Sequence, residues 1–262
     1  MQKRKAIFFD IDGTLWDYKN EIPESAKAAI RALKKNGHLT FLCSGRGRAY
    51  IQNPELLELG FDGIISGCGT MIEYHGETIF YKRLDNTLVE TTLSVMREHG
   101  FRPIMEGRQY IYMDEADFGQ DYYGKKLKAE LGERLSSIEG TWGDWEVSKF
   151  SCATDNADRE ECFAALSEYY DYKIHNPAVA EVVPKGHHKG TGIAKVCELL
   201  NIDIADTVAF GDSANDLEML CAAGIGVAMG NGSDEAKTAA DYVTDSLKDD
   251  GIWKACRRLE LI

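Results

Sequence analysis

The sequence predicts an α/β protein, a doubly wound parallel sheet interrupted by an inserted α+β segment, and three observations lead there. The first is a set of short, wholly apolar runs, Ile7-Phe8-Phe9, Leu39-Thr40-Phe41-Leu42-Cys43 and Thr207-Val208-Ala209-Phe210. Runs without polar alternation are what strands buried on both faces of a parallel sheet look like. The second is that each run stops at a small polar cluster carrying glycine: Asp10-Ile11-Asp12-Gly13, Ser44-Gly45-Arg46, and Gly211-Asp212-Ser213. The third is the helical pattern between the runs, which gives the strand–helix alternation of a parallel sheet.

Taken in order, Pro23-Glu24-Ser25 reads as a helix start, with Ala26, Ala29, Ile30 and Leu33 at helical spacing until Asn36-Gly37. After the second strand the pattern predicts a helix around 49–57, a strand Gly63-Ile64-Ile65-Ser66, and a hairpin of 70–74 and 77–81 turning at His75-Gly76. From Arg83 the texture changes. To Val183 the chain mixes helices at 87–99, 122–131 and 159–169 with strands at 102–106, 109–113, 147–153, 172–175 and 180–183. It is rich in acids and aromatic residues. We read it as an inserted α+β domain, 83–183, in a discontinuous core of 1–82 and 184–262. The parallel pattern resumes with a helix at 191–200, the strand 207–210, a helix beginning near Leu217, a strand 225–228, and closing helices at 233–240 and 251–257.

Composition narrows the function. The 262 residues carry a formal net charge of −13, with 44% hydrophobic and 28% charged residues. That is an ordinary globular composition, and its sign argues against nucleic acid as a partner, because phosphate backbones are held by clustered Lys and Arg. No stretch approaches the roughly 20 apolar residues of a membrane span, and Ala6-Ile7-Phe8-Phe9 is too short for a signal-peptide core. The expectation is a cytoplasmic protein without membrane partners. Seven scattered cysteines, never in a Cys-x-x-Cys spacing, read as reduced and mainly buried thiols. The sequence sets no oligomeric state.

Open α/β sheets bind ligands at the carboxyl ends of their strands, so the three polar clusters converge there. Asp10 and Asp12 would repel each other unless a cation sits between them or one stays protonated. With Asp212, Asp216 and Asn215 on a second strand end and Lys189 at a helix start, the clusters supply what phosphoryl transfer needs: a nucleophile, donors to the phosphoryl oxygens, and a metal site. Hard oxygen ligands without histidine or cysteine favour Mg²⁺. Each cluster also has a plainer reading, since Asp12-Gly13 and Ser44-Gly45 are common turn pairs. His187-His188 reads as a solvated pair, and the glycines around Asn231 do not make a dinucleotide fingerprint.

Asp10-Ile11-Asp12-Gly13-Thr14-Leu15, Ser44-Gly45-Arg46, Lys189-Gly190 and Gly211-Asp212-Ser213-Ala214-Asn215-Asp216, in that order, resemble the four motifs of the haloacid dehalogenase superfamily. The insertion between the second and third motifs resembles the α/β cap of the Cof-like phosphatases on a Rossmann-like core. The resemblance implies that Asp10 is the nucleophile and forms an aspartyl-phosphate, and that Asp12 moves protons and binds Mg²⁺ through its backbone carbonyl. It implies that Asp212 completes the metal ligands with Asp10, and that Ser44, Gly45 and Asn215 hold the phosphoryl group. Lys189 would neutralise Asp10 and the phosphoryl group, and Asp216 would orient metal-bound water or Lys189. Lys185 competes with Lys189, which lies immediately before the helix and matches the family's lysine. The implied substrate is a small phosphorylated metabolite, sugar phosphates first. A sugar phosphomutase and a non-enzymatic phosphate-sensing module are the alternatives. One departure stands out: Gly67-Cys68-Gly69 occupies the place where many relatives carry Asn-Gly-Ala.

Overall fold

The computed structural model describes residues 3–118, 122–154, 159–176 and 179–262. By contact pattern the chain separates into two compact units, one of Met1–Gly45, Gln52–Phe80 and His188–Ile262, the other of Arg46–Ile51 and Tyr81–His187.

The first unit is built on an eight-stranded sheet. Its order is Tyr242–Val243, Ile225–Ala228, Thr207–Gly211, Ala6–Phe9, Leu39–Cys43, Gly63–Ser66, Met71–Tyr74 and Glu77–Tyr81. From Tyr242–Val243 to Gly63–Ser66 every pairing is parallel, and Met71–Tyr74 runs antiparallel to its neighbour. Ala6–Phe9 lies between Thr207–Gly211 and Leu39–Cys43, with Phe9 opposite both Phe210 and Leu42. Chain connections leave this strand in opposite directions, which makes its carboxyl end the switch point where open α/β sheets bind ligands.

The apolar runs are apolar because both faces are covered. Ala6, Phe8, Phe41, Cys43, Ile65 and Ala209 pack with Ile193 and Val196 of the helix Lys189–Leu200 and with Met219. Phe9 alternates to the other face and stacks on Phe210 at 5.0 Å. The helix Glu24–Lys35 buries Ala26, Ala29, Ile30 and Leu33, the residues its spacing picks out.

The second unit holds a six-stranded sheet, in the order Tyr170–Asn176, Val179–Pro184, Val147–Ala153, Arg102–Gly107, Ile111–Tyr112 and Leu135–Ser136. One face packs Met105, Phe150, Cys152 and Val182 against Val89, Leu93 and Met96 of the helix Asn86–Glu98 and Cys162 and Leu166 of the helix Arg159–Leu166. A smaller cluster joins Ile104 and Ala153 to Phe118, Leu127 and Leu131.

Two sequence expectations change. In place of one helix at 49–57 the chain forms a single 3₁₀ turn, Arg48–Tyr50, and a short helix, Pro54–Leu57. Pro54 explains the break: it disfavours helical backbone at Asn53, whose side chain instead caps the new helix by accepting from the Leu56 amide. The segment Arg46–Ile51, read from sequence as core, belongs to the second unit. The Gly47 amide donates to Glu106 Oε2 at 2.7 Å, the Tyr50 hydroxyl donates to Glu130, and Ala49 joins the Ile104 cluster.

All seven cysteines are free thiols, and Cys221 alone is exposed. Among the described residues no helix is long and apolar enough to cross a membrane.

Candidate active site

Asp10 follows the last residue of Ala6–Phe9, and its amide still donates to the Phe210 carbonyl at 2.9 Å. The carboxylate therefore leaves the sheet from a fixed backbone. Lys189 is the first residue of Lys189–Leu200, a start secured by a capping box in which the Thr191 amide donates to His188 Nδ1 and the His188 amide donates to Thr191 Oγ1. His188 is thus a helix cap, not a solvated histidine, and the cap sets the lysine's position. Lys189 Nζ lies 2.5 Å from Asp10 Oδ1 and 2.5 Å from Asp216 Oδ1, with Asn215 Oδ1 at 3.3 Å. The lysine is only 1% exposed, whereas Lys185 is exposed.

The third cluster is held by its own backbone. Asp216 Oδ2 accepts from the amides of Asp212 at 2.9 Å and Ser213 at 3.0 Å, closing the turn after Thr207–Gly211. Asp216 is therefore spent on the loop and on Lys189. Ser213 Oγ donates to Asn215 Oδ1 at 2.8 Å, which leaves the amide side chain beside the ammonium. Asp212 remains half-buried, accepting from Thr14 Oγ1 at 3.0 Å. Ser44 and Gly45 follow Leu39–Cys43, the neighbouring strand, and both are buried. The Ser44 amide donates to the Ile65 carbonyl and its carbonyl accepts from the Cys68 amide.

Asp12 sits one turn beyond Asp10 and is exposed, its Oδ1 accepting from the Trp16 indole N–H at 2.9 Å. The bend between them belongs to Gly13, whose φ of +85° is open to glycine, and a Cβ there would lie 2.3 Å from Asp212 Oδ2. The Gly13 carbonyl is tied down by the Asn231 side-chain amide at 2.8 Å. At the departure from the family pattern, Cys68 adopts φ +56° and a Cβ on Gly69 would meet the His188 carbonyl at 2.8 Å. That turn packs backbone on backbone behind the lysine.

The electrostatics follow from crowding. Burial, then the charge of Asp216, pushes the proton affinity of Asp10 well above the ordinary carboxylate range, with Lys189 opposing. Burial and Asp216 push Asp212 up to about 6. Burial works against the Lys189 ammonium, but Asp10 and Asp216 outweigh it and raise its pKa well above the usual lysine value. Carboxylate oxygens of Asp10, Asp212 and Asp216 lie within 4.8 Å of one another. One buried lysine does not balance this many carboxylates, so the site has the charge and the oxygen donors for a hard divalent cation. Both oxygens of Asp216 are engaged by Lys189 and two backbone amides, whereas Lys189 engages one oxygen of Asp10 and Thr14 one oxygen of Asp212.

Sequence reading named eight residues for this site, Asp10, Asp12, Ser44, Gly45, Lys189, Asp212, Asn215 and Asp216, and the fold places all of them in the first unit, seven in the segments that follow the strands Ala6–Phe9, Leu39–Cys43 and Thr207–Gly211 and Lys189 at the start of its helix. It assigned no role to Thr14, Trp16 or Asn231, and read His188 as half of a solvated pair. Thr14 and Trp16 carried a signal in following the first aspartates closely, whereas the contact between Asn231 and Gly13 crosses more than two hundred residues and leaves no trace in spacing.

A buried lysine bridging two aspartates at the switch point of a parallel sheet defines an α/β protein with a charged ligand site at its strand ends. The family model for haloacid dehalogenase-like hydrolases matches residues 7–256, and the chain belongs to that family. It is an enzyme, a phosphatase of the haloacid dehalogenase type. YkrA of Bacillus subtilis (strain 168) is 33% identical, covering 98% of both chains. A second protein of that organism, 5-amino-6-(5-phospho-D-ribitylamino)uracil phosphatase YcsE, is 28% identical over 97% of this chain and 94% of its own. Among solved structures, the subclass IIB sugar phosphatase BT4131 is 30% identical and superposes with a TM-score of 0.82, covering 98% of this chain and all of its own.

Proposed function

We propose that the protein hydrolyses small phosphomonoesters, sugar phosphates first, in a Mg²⁺-dependent reaction that passes through an aspartyl-phosphate on Asp10. The observation that carries this reading is the buried Lys189 bridge between Asp10 and Asp216, with Asp212 alongside. The subclass IIB sugar phosphatase supports the substrate class.

In this reading Lys189 opposes the burial and the Asp216 charge that favour a proton on Asp10, and offers its ammonium to the incoming phosphoryl oxygens. Asp10 attacks phosphorus as the ester bond breaks, and Asp12 gives its proton to the departing alcohol oxygen. Water then attacks the acyl phosphate, Asp12 takes the water's proton, and Asp10 leaves as a carboxylate. Covalent catalysis of this kind divides one hard displacement into two easier ones. The indole of Trp16 holds Asp12 by one oxygen, and Ser44, the Gly45 amide and Asn215 bind the phosphoryl oxygens. The Asp10 and Asp212 carboxylates with the Asp12 carbonyl would hold Mg²⁺, which when bound neutralises charge on the phosphoryl group.

The test is phosphate release by purified protein with Mg²⁺ across sugar phosphates, nucleotides, pyridoxal phosphate and flavin phosphate. Release from none of them would overturn the proposal, and an isomeric sugar phosphate as the main product would mark a phosphomutase. Chelation is expected to take turnover to background and Mg²⁺ to restore it. The Mg²⁺ concentration for half activation rises roughly 10-fold in Thr14→Val, which loses the hydroxyl that orients Asp212, and further in Asp212→Asn. Full turnover in excess chelator would rule out the metal.

Gly13→Ala tests the turn separately. The new methyl meets the Asp212 carboxylate and the backbone is strained at positive φ, so turnover is expected to fall roughly 10²-fold through misplacement of Asp212 and Asp12. Steady-state kinetics beside a melting curve decide it, since a variant with native turnover contradicts the role given to this turn.

A further inference from the structure

Trp16 is only 4% exposed, whereas Asp12 on the same turn is exposed, and the indole N–H donates to Asp12 Oδ1 at 2.9 Å. The backbone between them is closed on itself. The Gly13 amide donates to the Trp16 carbonyl at 2.9 Å, and the Leu15 and Trp16 amides donate to the Ile11 carbonyl at 3.0 and 3.2 Å. Beyond the tryptophan, Asp17 Oδ1 accepts from the Lys19 amide at 2.8 Å, and Asp17 Oδ2 lies 3.4 Å from Lys248 Nζ. The indole is therefore a fixed point, with Ile11 and Leu15 fully buried beside it in the chain. The exposed carboxylate takes its position from the ring.

Trp16 acts on Asp12 through two atoms. A trans peptide is planar, with its C=O and N–H pointing in opposite directions, so the bond from the Gly13 amide to the Trp16 carbonyl also aims the Asp12 carbonyl away from Trp16. The indole holds the carboxyl separately. Its nitrogen donates and cannot accept. While that bond is made Oδ1 is the accepting oxygen, and a proton carried by this carboxyl belongs on Oδ2. A buried indole N–H needs an acceptor, and a backbone carbonyl would serve a purely structural tryptophan. Here the need is met by a group that the proposed reaction uses.

We propose that Trp16 is a positioning residue that makes Asp12 Oδ2 the atom carrying the transferred proton, and that it thereby adapts the site to esters of alcohols, whose leaving oxygen is too basic to depart as an anion. The inference rests on the phosphatase reading above. In the first step an Asp10 oxygen bonds to phosphorus and the ester P–O bond breaks with its electron pair on the alcohol oxygen, which takes the proton from Asp12 Oδ2. In the second, the attacking water gives a proton to that same oxygen. The ester of a nitrophenol needs little of this help, because its oxygen leaves as a stable anion.

The test compares kcat/KM, which reports the first step, for glycerol 3-phosphate and glucose 6-phosphate with that for p-nitrophenyl phosphate in excess Mg²⁺. General acid catalysis is typically worth 10²–10⁴-fold, so Trp16→Phe, which keeps a ring without the donor, is expected to cost the alkyl esters roughly 10-fold more than the aryl ester. In an Asp12→Asn background the same substitution should cost the alkyl esters no more than about 2-fold, since the group it positions is already disabled. Melting curves establish that the variants fold. Equal losses for both ester types, or equal losses in both backgrounds, mark a structural tryptophan and overturn the inference. So does wild-type hydrolysis confined to the aryl ester. A readout independent of turnover comes from the indole ¹⁵N–¹H resonances of the four tryptophans. Asp12→Ala, at an exposed position, is expected to move the Trp16 resonance upfield and leave the other three in place, which serves even if Trp16→Phe does not fold. An unmoved Trp16 resonance overturns the inference while phosphate release continues. Absence of all phosphomonoester hydrolysis by the wild type would instead overturn the phosphatase reading, and this inference with it.

Discussion

Asp10→Asn is expected to reduce phosphate release from any substrate by roughly 10⁴-fold or more, because an amide cannot serve as the attacking carboxylate. The loss should appear in kcat and persist at high Mg²⁺, which separates a missing nucleophile from a weakened metal site. The fold should survive. Removing one member of a buried ion pair ordinarily costs about 3–5 kcal/mol, but here Lys189 retains Asp216 at 2.5 Å and the substitution relieves repulsion among the remaining carboxylates. A melting temperature within a few degrees of wild type is expected. Acid quenching during turnover should trap phosphate on wild-type protein and none on the variant. Retained turnover, or an equal phosphoprotein signal in Asp10→Asn, would place the nucleophile elsewhere.

Lys189→Met is the second large effect and differs in kind, because activity and stability fall together. The ammonium is the positive group that the structure sets between Asp10 and Asp216, and methionine keeps much of its volume without the charge. Turnover is expected to drop roughly 10³-fold through loss of a cation at the phosphoryl group. Stability is expected to fall by about 3–5 kcal/mol, since the two buried aspartates are left without their partner. Added Mg²⁺ should recover part of the melting temperature by restoring positive charge near Asp10. Lys185→Met should leave both readings unchanged, as Lys185 is exposed. Native turnover in Lys189→Met, with loss in Lys185→Met, would transfer the role to the other lysine.

Much of the first unit was legible in the sequence because its strands are buried on both faces and so read as unbroken apolar runs ending in polar turns. Phe9 and Phe210 are stacked in the core, and the residues that follow their runs, Asp10 and Asp212, stand in the site. The second unit was legible as elements, and less so in detail. The helix expected over 49–57 failed at Asn53-Pro54, where a local backbone rule outweighs the apolar spacing. Its first residues went to the second unit because Gly47 and Tyr50 hydrogen-bond to Glu106 and Glu130, partners distant in sequence. His188 looked like half of a solvated pair, and only the capping geometry with Thr191 shows its task.

By itself the sequence determined the fold class and the eight candidate residues, since apolar burial and turn chemistry are local and their order along the chain is visible. Tertiary structure decided which partner engages each acid. Asp216 and Asp212 are close neighbours in sequence, yet two backbone amides and Lys189 engage the first while the second keeps a carboxylate beside Asp10. It also decided that Glu106, Lys149 and Glu181, on three separate strands, share one face beside a cavity. Charge–charge energies fall off with distance in space rather than along the chain, so composition could report an excess of acid but not which carboxylates are forced together.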